Sequence, residues 1–175
     1  MSHIHVCALS RIHATSGAIG ARSLVTLINI NTKVQRPIAI GMDQHLFLGM
    51  SDIAAPEDGE VTPSEIHVKQ LIAFVERWDR QHPLLIHCYA GVSRSTAAAY
   101  ISVCALDKDR SEHEIALRLR ALSPTATPNP LLVSIADEML GRKGRMSAAI
   151  RAIGRGVECS EGVPFSLSVP RLGAS

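Results

Sequence analysis

The sequence predicts an α/β fold, a single three-layer domain with a central, mostly parallel sheet flanked by helices. Short apolar, β-branched segments alternate along the chain with longer segments whose apolar residues recur at helical spacing. That order is typical of parallel sheets covered on both faces. The chain has 175 residues and is 46% hydrophobic, which suits one domain with a substantial core.

The first part of the chain supplies three of the predicted strands. Residues 4–9 form the first, and residues 23–30 form a second that should be buried because they are almost wholly apolar or β-branched. We expect a short helix between them at residues 14–21. Residues 45–50 form the third strand, and a polar loop containing Gly and Pro follows at residues 51–61.

The most clearly marked helix follows that loop. Thr62 is predicted to cap its N-terminus, with Pro63 in the first turn and Glu65 completing a capping box. Apolar residues at helical spacing then define a face that should pack on the core, namely Val68, Leu71, Ile72, Val75 and Trp78.

A strand, a turn and a helix come next. Residues 84–86 predict a short buried strand, residues 87–94 a glycine-containing turn, and residues 95–106 an Ala-rich helix. Ligands of open α/β sheets bind beyond the carboxyl ends of the strands. The turn is therefore the expected place for chemistry.

Three further helices complete the predicted domain. Ser111 caps the first, and Asn129 with Pro130 opens the second. The third is indicated by apolar spacing at Met146, Ala149, Ile150 and Ile153. We assign residues 1–154 to the domain and expect residues 155–175 to form a loosely ordered C-terminal tail.

Composition narrows the possible functions. With 18 basic and 16 acidic residues, a net charge of +2 and 3% aromatic residues, neither nucleic acid nor a membrane is an expected partner. The N-terminus shows no basic segment followed by an apolar stretch, so we expect a cytoplasmic protein. The four cysteines lack metal-type spacing and are expected to be free thiols. Oligomeric state is left open.

The turn after the fourth strand has the features of a phosphate-binding loop. Cys88 ends the strand, Arg94 begins the helix, and Gly91 between them allows a positive φ angle. Successive backbone N–H groups and the helix N-terminus favour a tetrahedral oxyanion such as phosphate. Arg94 can hold two of its oxygens with one guanidinium. These donors also favour an ionised thiol, so we expect Cys88 to be a thiolate nucleophile.

The string Ile86-His87-Cys88-Tyr89-Ala90-Gly91-Val92-Ser93-Arg94-Ser95 resembles the signature of the cysteine-dependent protein tyrosine phosphatase superfamily. It is most similar to the dual-specificity branch and its small bacterial relatives. The resemblance is sharp over residues 84–100, extends less sharply over residues 20–140, and covers neither the first residues nor the segment after Gly154.

This resemblance implies a role for each matching residue. Cys88 would form a phosphocysteine intermediate, Arg94 would hold the phosphoryl group, and Ser95 would hydrogen-bond the sulfur. His87 would give structural support to the loop. Substrate oxygens would lie against the N–H groups of the loop, which belong to Tyr89, Ala90, Gly91, Val92, Ser93 and Arg94. Neither a metal nor a cofactor is needed.

The general acid is expected on a separate loop, where two aspartates compete. Asp52 directly follows a predicted strand, as the acid does in dual-specificity enzymes. Asp58 is followed by Gly59, which resembles the Asp-Gly form of other branches. We favour Asp52 and keep Asp58 as the alternative.

The sequence thus predicts a metal-independent phosphatase acting on phosphate monoesters. Its substrates would be phosphotyrosine or phosphoserine/threonine proteins, or small phosphorylated molecules. The alternative is a catalytically weak module that binds phosphate or phosphoproteins. Sulfur transfer or arsenate reduction is a third possibility, but arsenate reduction usually needs further cysteines near the nucleophile, and Cys104 is at best one helix away from Cys88. Whether Cys7 or Cys104 protects Cys88 from oxidation is left open.

Overall fold

A computed structural model describes residues 1–173. Within them, five strands form one sheet in the order β3-β2-β4-β1-β5. The strands are β1 (Ser2–Ala8), β2 (Ser23–Ile28), β3 (His45–Gly49), β4 (Leu84–Cys88) and β5 (Phe165–Val169). The first four run parallel and β5 runs antiparallel to β1. The predicted α/β architecture with a mostly parallel sheet is confirmed.

Six α-helices lie within the same residues. They are α1 (Ile12–Ile19), α2 (Glu65–Arg77), α3 (Arg94–Leu106), α4 (Glu112–Leu122), α5 (Pro130–Met139) and α6 (Arg145–Ile153). None of these helices has the length and hydropathy that crossing a membrane requires.

The sheet separates two apolar layers because successive strand residues point to opposite faces. Val6 and Ile86 belong to the larger layer, which packs against α2 to α6. Cys7 and Leu85, one residue away in each strand, belong to a smaller layer with Ile12 of α1. This alternation explains why β2 and β4 are buried at every position.

The start of α2 differs from the prediction. Ser64 rather than Thr62 is the N-cap, with an extended backbone (φ −140°, ψ 169°). Its N–H donates to Nδ1 of His67 at 3.1 Å, which closes the capping box. Glu65 is the first helical residue instead of the box partner. His67 can replace the expected Glu because its ring nitrogen is also a hydrogen-bond acceptor.

The C-terminal segment also differs from the loosely ordered tail that was expected. Residues 165–169 form β5, whose Leu167 pairs with Ile4 of β1. Phe165, Leu167 and Val169 are buried, and the serines between them are partly exposed. The alternating Phe-Ser-Leu-Ser-Val pattern is the sequence signal for this strand. Residues 174–175 of the predicted tail lie outside the described residues.

Integration of β5 into the core makes a testable prediction. Leu167 is 1% exposed, so Leu167→Ala should lower the free energy of unfolding by about 2–5 kcal/mol through lost burial and a residual cavity. Urea unfolding followed by the fluorescence of the buried Trp78 measures this. Leu117→Ala on α4 is the matched control, because Leu117 is 50% exposed and should change stability by less than about 0.5 kcal/mol. Equal stability of the two variants would contradict the integration of β5.

Candidate active site

The candidate site lies where β4 ends and α3 begins. Cys88 is the last residue of β4 and Arg94 the first of α3, so residues 88–94 form a short loop that we call the phosphate loop. It lies at the carboxyl end of a strand flanked by β1 and β2. The topology thus places the predicted residues where ligands of such sheets bind.

Two groups face the sulfur of Cys88, which is 2% exposed. Its Sγ lies 3.0 Å from Oγ of Ser95, and the N–H of Gly91 donates to it at 3.3 Å. Both groups stabilise a negative charge on sulfur. The structure therefore brings Cys88, Gly91 and Ser95 together.

Arg94 is held by one end of its guanidinium. The side chain is buried, and its Nη1 donates to Oδ1 of Asn29 at 2.8 Å and to the carbonyl oxygen of Met50 at 2.7 Å. Its Nε is buried and has no hydrogen-bond partner among residues 1–173. A buried N–H without a partner is costly, and the edge formed by Nε and Nη2 has the geometry to bind two oxyanion oxygens.

Asn29 was missed from the sequence. It directly follows β2, whose neighbour in the sheet is β4. A polar residue at the carboxyl end of a buried strand is the signal that could have revealed it.

The peptide units of the phosphate loop are oriented from outside. Four of its carbonyl oxygens accept hydrogen bonds from backbone N–H groups outside the loop. The N–H of Leu9 donates to the Tyr89 carbonyl (3.0 Å) and that of Gly162 to the Ala90 carbonyl (2.8 Å). The N–H of Thr127 donates to the Val92 carbonyl (2.9 Å) and that of Asn129 to the Ser93 carbonyl (3.2 Å). A trans peptide points its C=O and N–H in opposite directions. With the carbonyls held outward, the N–H groups of the same units turn inward, as an oxyanion site needs.

Gly91 is the tightest point of the loop. Its φ is +71°, and a Cβ there would lie 2.9 Å from both the Cys7 carbonyl carbon and the Ala8 nitrogen. The end of β1 thus packs directly against the loop backbone, and only glycine fits.

His87 supports the loop from the opposite face of the sheet. Its Nδ1 lies 3.1 Å from the carbonyl oxygen of Cys88 and must donate to it. Nε2 then accepts from Oγ1 of Thr26 at 2.8 Å, and Thr26 in turn accepts from Nε2 of His45 at 2.8 Å. Burial lowers the pKa of His87 from 6.5 to about 4, despite the opposing hydrogen bond to the Cys88 carbonyl. His87 is therefore neutral near pH 7.

Asp52 and Asp58 have different surroundings. Oδ1 of Asp52 accepts from Oγ of Ser93 at 2.7 Å and from Nδ2 of Asn129 at 2.9 Å. Asp58 is exposed and makes no side-chain hydrogen bond to the phosphate loop within the described residues. Only Asp52 is thus brought to the loop. Asn129 was expected solely as a helix cap, a role it also fills by accepting from the N–H groups of Leu131 and Leu132.

A cleft of about 600 Å³ borders the loop beside Asp52. Val92 and Ser93 line one side, and residues 155–159 line the other. Tyr89 is 66% exposed, so its side chain lies at the surface. The C-terminal segment thus contributes a wall next to the candidate site, which the sequence did not indicate.

Cys7 and Cys104 are poor candidates for protecting Cys88. Burial raises the pKa of Cys7 and that of Cys104 to about 12, so neither is a ready thiolate. Cys7 also belongs to the smaller apolar layer, on the opposite face of the sheet from Cys88. Cys159 is exposed at the cleft.

Comparison with solved structures identifies the class of fold. No protein-family model matches the sequence, and no curated protein matches it either. The fold is nevertheless shared with solved dual-specificity phosphatases. The predicted resemblance to the protein tyrosine phosphatase superfamily is confirmed at the level of the fold. These structures do not show the predicted similarity to the small bacterial relatives.

Three of these structures illustrate the similarity. DUSP15 has a TM-score of 0.62 and 18% identity, with 86% of this chain and 89% of that chain covered. Human DUSP28 has a TM-score of 0.61 and 18% identity, with coverages of 80% and 89%. The human tyrosine phosphatase-like serine/threonine/tyrosine-interacting protein has a TM-score of 0.60 and 15% identity, with coverages of 80% and 92%. At these identities the likeness is one of fold.

The buried state of His87 predicts a pH dependence of stability. With a pKa lowered from 6.5 to about 4, the folded protein binds fewer protons here than the unfolded chain between those pH values. The contribution of neutral His87 to the free energy of unfolding is therefore fully present above pH 6.5. It is lost as the pH falls toward 4, by about 3 kcal/mol.

His87→Asn should remove this component while Asn still donates to the Cys88 carbonyl. Urea unfolding at pH 7 and pH 4 should show a smaller loss for His87→Asn than for wild type. His113→Asn, at an exposed position of α4, is the control and should behave like wild type. The same loss in His87→Asn as in wild type would contradict a buried neutral His87.

Proposed function

We propose that this protein is a metal-independent phosphatase that hydrolyses phosphate monoesters through a phosphocysteine intermediate. The observation that carries the proposal is the convergence on one loop of a Cys88 sulfur with hydrogen-bond donors and a buried, unpaired Arg94 Nε. An anion with several oxygens bound there satisfies Arg94 and the inward N–H groups together.

Phosphoryl transfer to Cys88 is the first step. The thiolate attacks phosphorus, and the bond between phosphorus and the ester oxygen breaks. Arg94 and the N–H groups of residues 89–94 bind the nonbridging oxygens, where they stabilise the transition state. Asn29 and the Met50 carbonyl hold Arg94 in position and so lower the entropic cost of this contact.

Asp52 is the proposed general acid. It gives its proton to the leaving oxygen, and as a carboxylate it then takes a proton from the water that hydrolyses the phosphocysteine. The Ser95 hydroxyl donates to the sulfur as the thiolate leaves. Ser93 and Asn129 bind only Oδ1 of Asp52 among the described residues, which leaves Oδ2 to carry the proton.

The proposed substrates are phosphorylated proteins, with phosphotyrosine or phosphoserine/threonine, or small phosphorylated molecules. The phosphate loop contains no lysine between Cys88 and Arg94, so a polyphosphorylated inositol ring would find little extra positive charge there. The reaction needs no cofactor, nucleic acid or membrane.

Hydrolysis of two aryl phosphates tests the mechanism. Wild type should hydrolyse para-nitrophenyl and phenyl phosphate without added metal, and Cys88→Ser should be inactive. Asp52→Asn should lose about 10²–10⁴-fold in kcat on phenyl phosphate, and less on para-nitrophenyl phosphate, whose leaving group needs little protonation. Loss of the basic limb of the pH–rate profile should accompany it.

Asp58→Asn is the matched control and should retain wild-type kinetics. If Asp58→Asn instead loses the basic limb, Asp58 is the acid. If wild type binds vanadate but releases no phosphate at any pH from 4.5 to 8, the protein is a phosphate-binding module and the proposed activity is wrong.

Arg94→Lys tests the oxyanion site separately from the nucleophile. Lysine keeps the charge but cannot bind two oxygens in one plane or reach both Asn29 and the Met50 carbonyl. We expect kcat/KM to fall by more than about 10²-fold, with weaker vanadate inhibition. Arg118→Lys, at an exposed position of α4, should leave both unchanged. A fall of less than threefold in Arg94→Lys would refute the bidentate contact.

A further inference from the structure

Residues 154–164, which we call the strap, connect α6 to β5 and run along the phosphate loop. The first half of the strap is fastened to α4 and to the segment between α4 and α5. Arg120 donates to the Gly154 carbonyl at 2.7 Å, and the N–H of Gly156 donates to Oγ1 of Thr127 at 3.1 Å. The strap is thus an ordered backbone segment, although the sequence predicted neither its order nor a structural role for Arg120.

The second half of the strap is fastened near the end of β1. Glu161 accepts from Oγ of Ser10 at 2.7 Å and from Nε of Arg11 at 3.0 Å. The next residue, Gly162, donates its N–H to the Ala90 carbonyl at 2.8 Å. The strap therefore reaches the phosphate loop itself, through a single backbone hydrogen bond.

Close approach at this point requires glycine. A Cβ on Gly162 would lie 2.8 Å from the Gly91 carbonyl oxygen and 3.5 Å from Cγ2 of Val92. The first distance is shorter than real Cβ contacts and involves backbone, which cannot rotate away. Any larger residue would push the strap off the loop and lengthen the hydrogen bond to Ala90.

The bond from Gly162 ends on the peptide unit that serves the nucleophile. The Ala90 carbonyl and the Gly91 N–H belong to one planar unit and point in opposite directions. That same N–H donates to Cys88 Sγ at 3.3 Å. One unit is thus held between the strap on one side and the sulfur on the other.

We infer that Gly162 is a positioning residue, which acts through the Ala90–Gly91 peptide to keep an N–H on the Cys88 sulfur and so stabilise the thiolate. The consequence for turnover rests on the proposed phosphatase function, whereas the effect on the thiolate does not. Hydrogen bonds in series polarise one another, so the strap both orients this donor and strengthens it. The strap lies in the C-terminal segment that the sequence resemblance to the superfamily does not cover.

Alkylation of Cys88 by iodoacetamide as a function of pH tests the inference without any need for catalysis. Mass spectrometry of the Cys88 peptide separates this residue from the exposed Cys159. The pH midpoint of Cys88 alkylation should lie about one pH unit higher in Gly162→Ala than in wild type. That shift corresponds to about 1.4 kcal/mol, close to the lower end for a hydrogen bond to a charged group. At pH values well above both midpoints, the two rates should agree within about twofold.

Gly17→Ala is the matched control, because a Cβ on Gly17 meets nothing within 4 Å. It should alkylate with the wild-type midpoint, and thermal unfolding should show that both variants are folded. Equal midpoints for Gly162→Ala and wild type would overturn the inference. A slowing of Gly162→Ala by the same factor at every pH would also overturn it, since access to the sulfur rather than its ionisation would then have changed.

A measurement on the unaltered strap covers the case in which Gly162→Ala does not fold. In wild type, the amide resonance of Gly162 should shift with pH at the midpoint found for Cys88 alkylation. In Cys88→Ala that shift should disappear. A Gly162 amide that does not respond to Cys88 ionisation would overturn the inference.

The two proposals fail separately. If wild type releases no phosphate but Cys88 alkylation depends on Gly162, the phosphatase proposal fails and the role of Gly162 stands. If wild type is an active phosphatase and alkylation ignores Gly162, only the role of Gly162 fails.

Discussion

The outward orientation of the carbonyl groups in the phosphate loop is the constraint on which the rest of the site depends. A seven-residue turn with no outside contacts could point its peptide units either way, and inward carbonyls would repel both a thiolate and a phosphate. Backbone N–H groups of Leu9, Gly162, Thr127 and Asn129 remove that freedom. Because these donors are backbone groups, the side chains of the four residues give no indication of this role.

The fold explains how such distant segments meet at one loop. Leu9 follows β1, which pairs with β4 in parallel and therefore ends beside it. Thr127 and Asn129 lie just before α5, and Asn129 also holds Asp52. Gly162 lies just before β5, whose pairing with β1 fixes where the strap can run. Sheet order and site geometry are thus consequences of the same strand pairings.

Much of this could be predicted from the sequence, for identifiable reasons. Cys88, Gly91 and Arg94 lie in one contiguous string, so their proximity follows from local geometry alone. The parallel sheet followed from apolar runs alternating with helical periodicity. Asn29 and Gly162 could not be predicted in the same way, because their roles depend on contacts between segments far apart in the chain.

The strand β5 has alternating apolar and polar residues, which is the pattern of a half-buried strand. The pattern is only five residues long and follows a stretch that contains Gly and Pro, so it did not outweigh the expectation of a tail. For α2, Thr62 and Ser64 are both residues that can cap a helix, and the helix begins two residues later than predicted.

The pairing of β5 with β1 also affects the order in which the hydrogen bonds to the phosphate loop can form during synthesis of the chain. A chain made from its N-terminus presents β1, β4 and α5 before the strap and β5 have left the ribosome. Three of the four backbone hydrogen bonds that orient the phosphate loop can therefore form early, and the one from Gly162 to Ala90 can form only after the strap has been synthesised. Nascent chains would hold a nucleophile with an incomplete set of donors, and full reactivity would arrive together with β5.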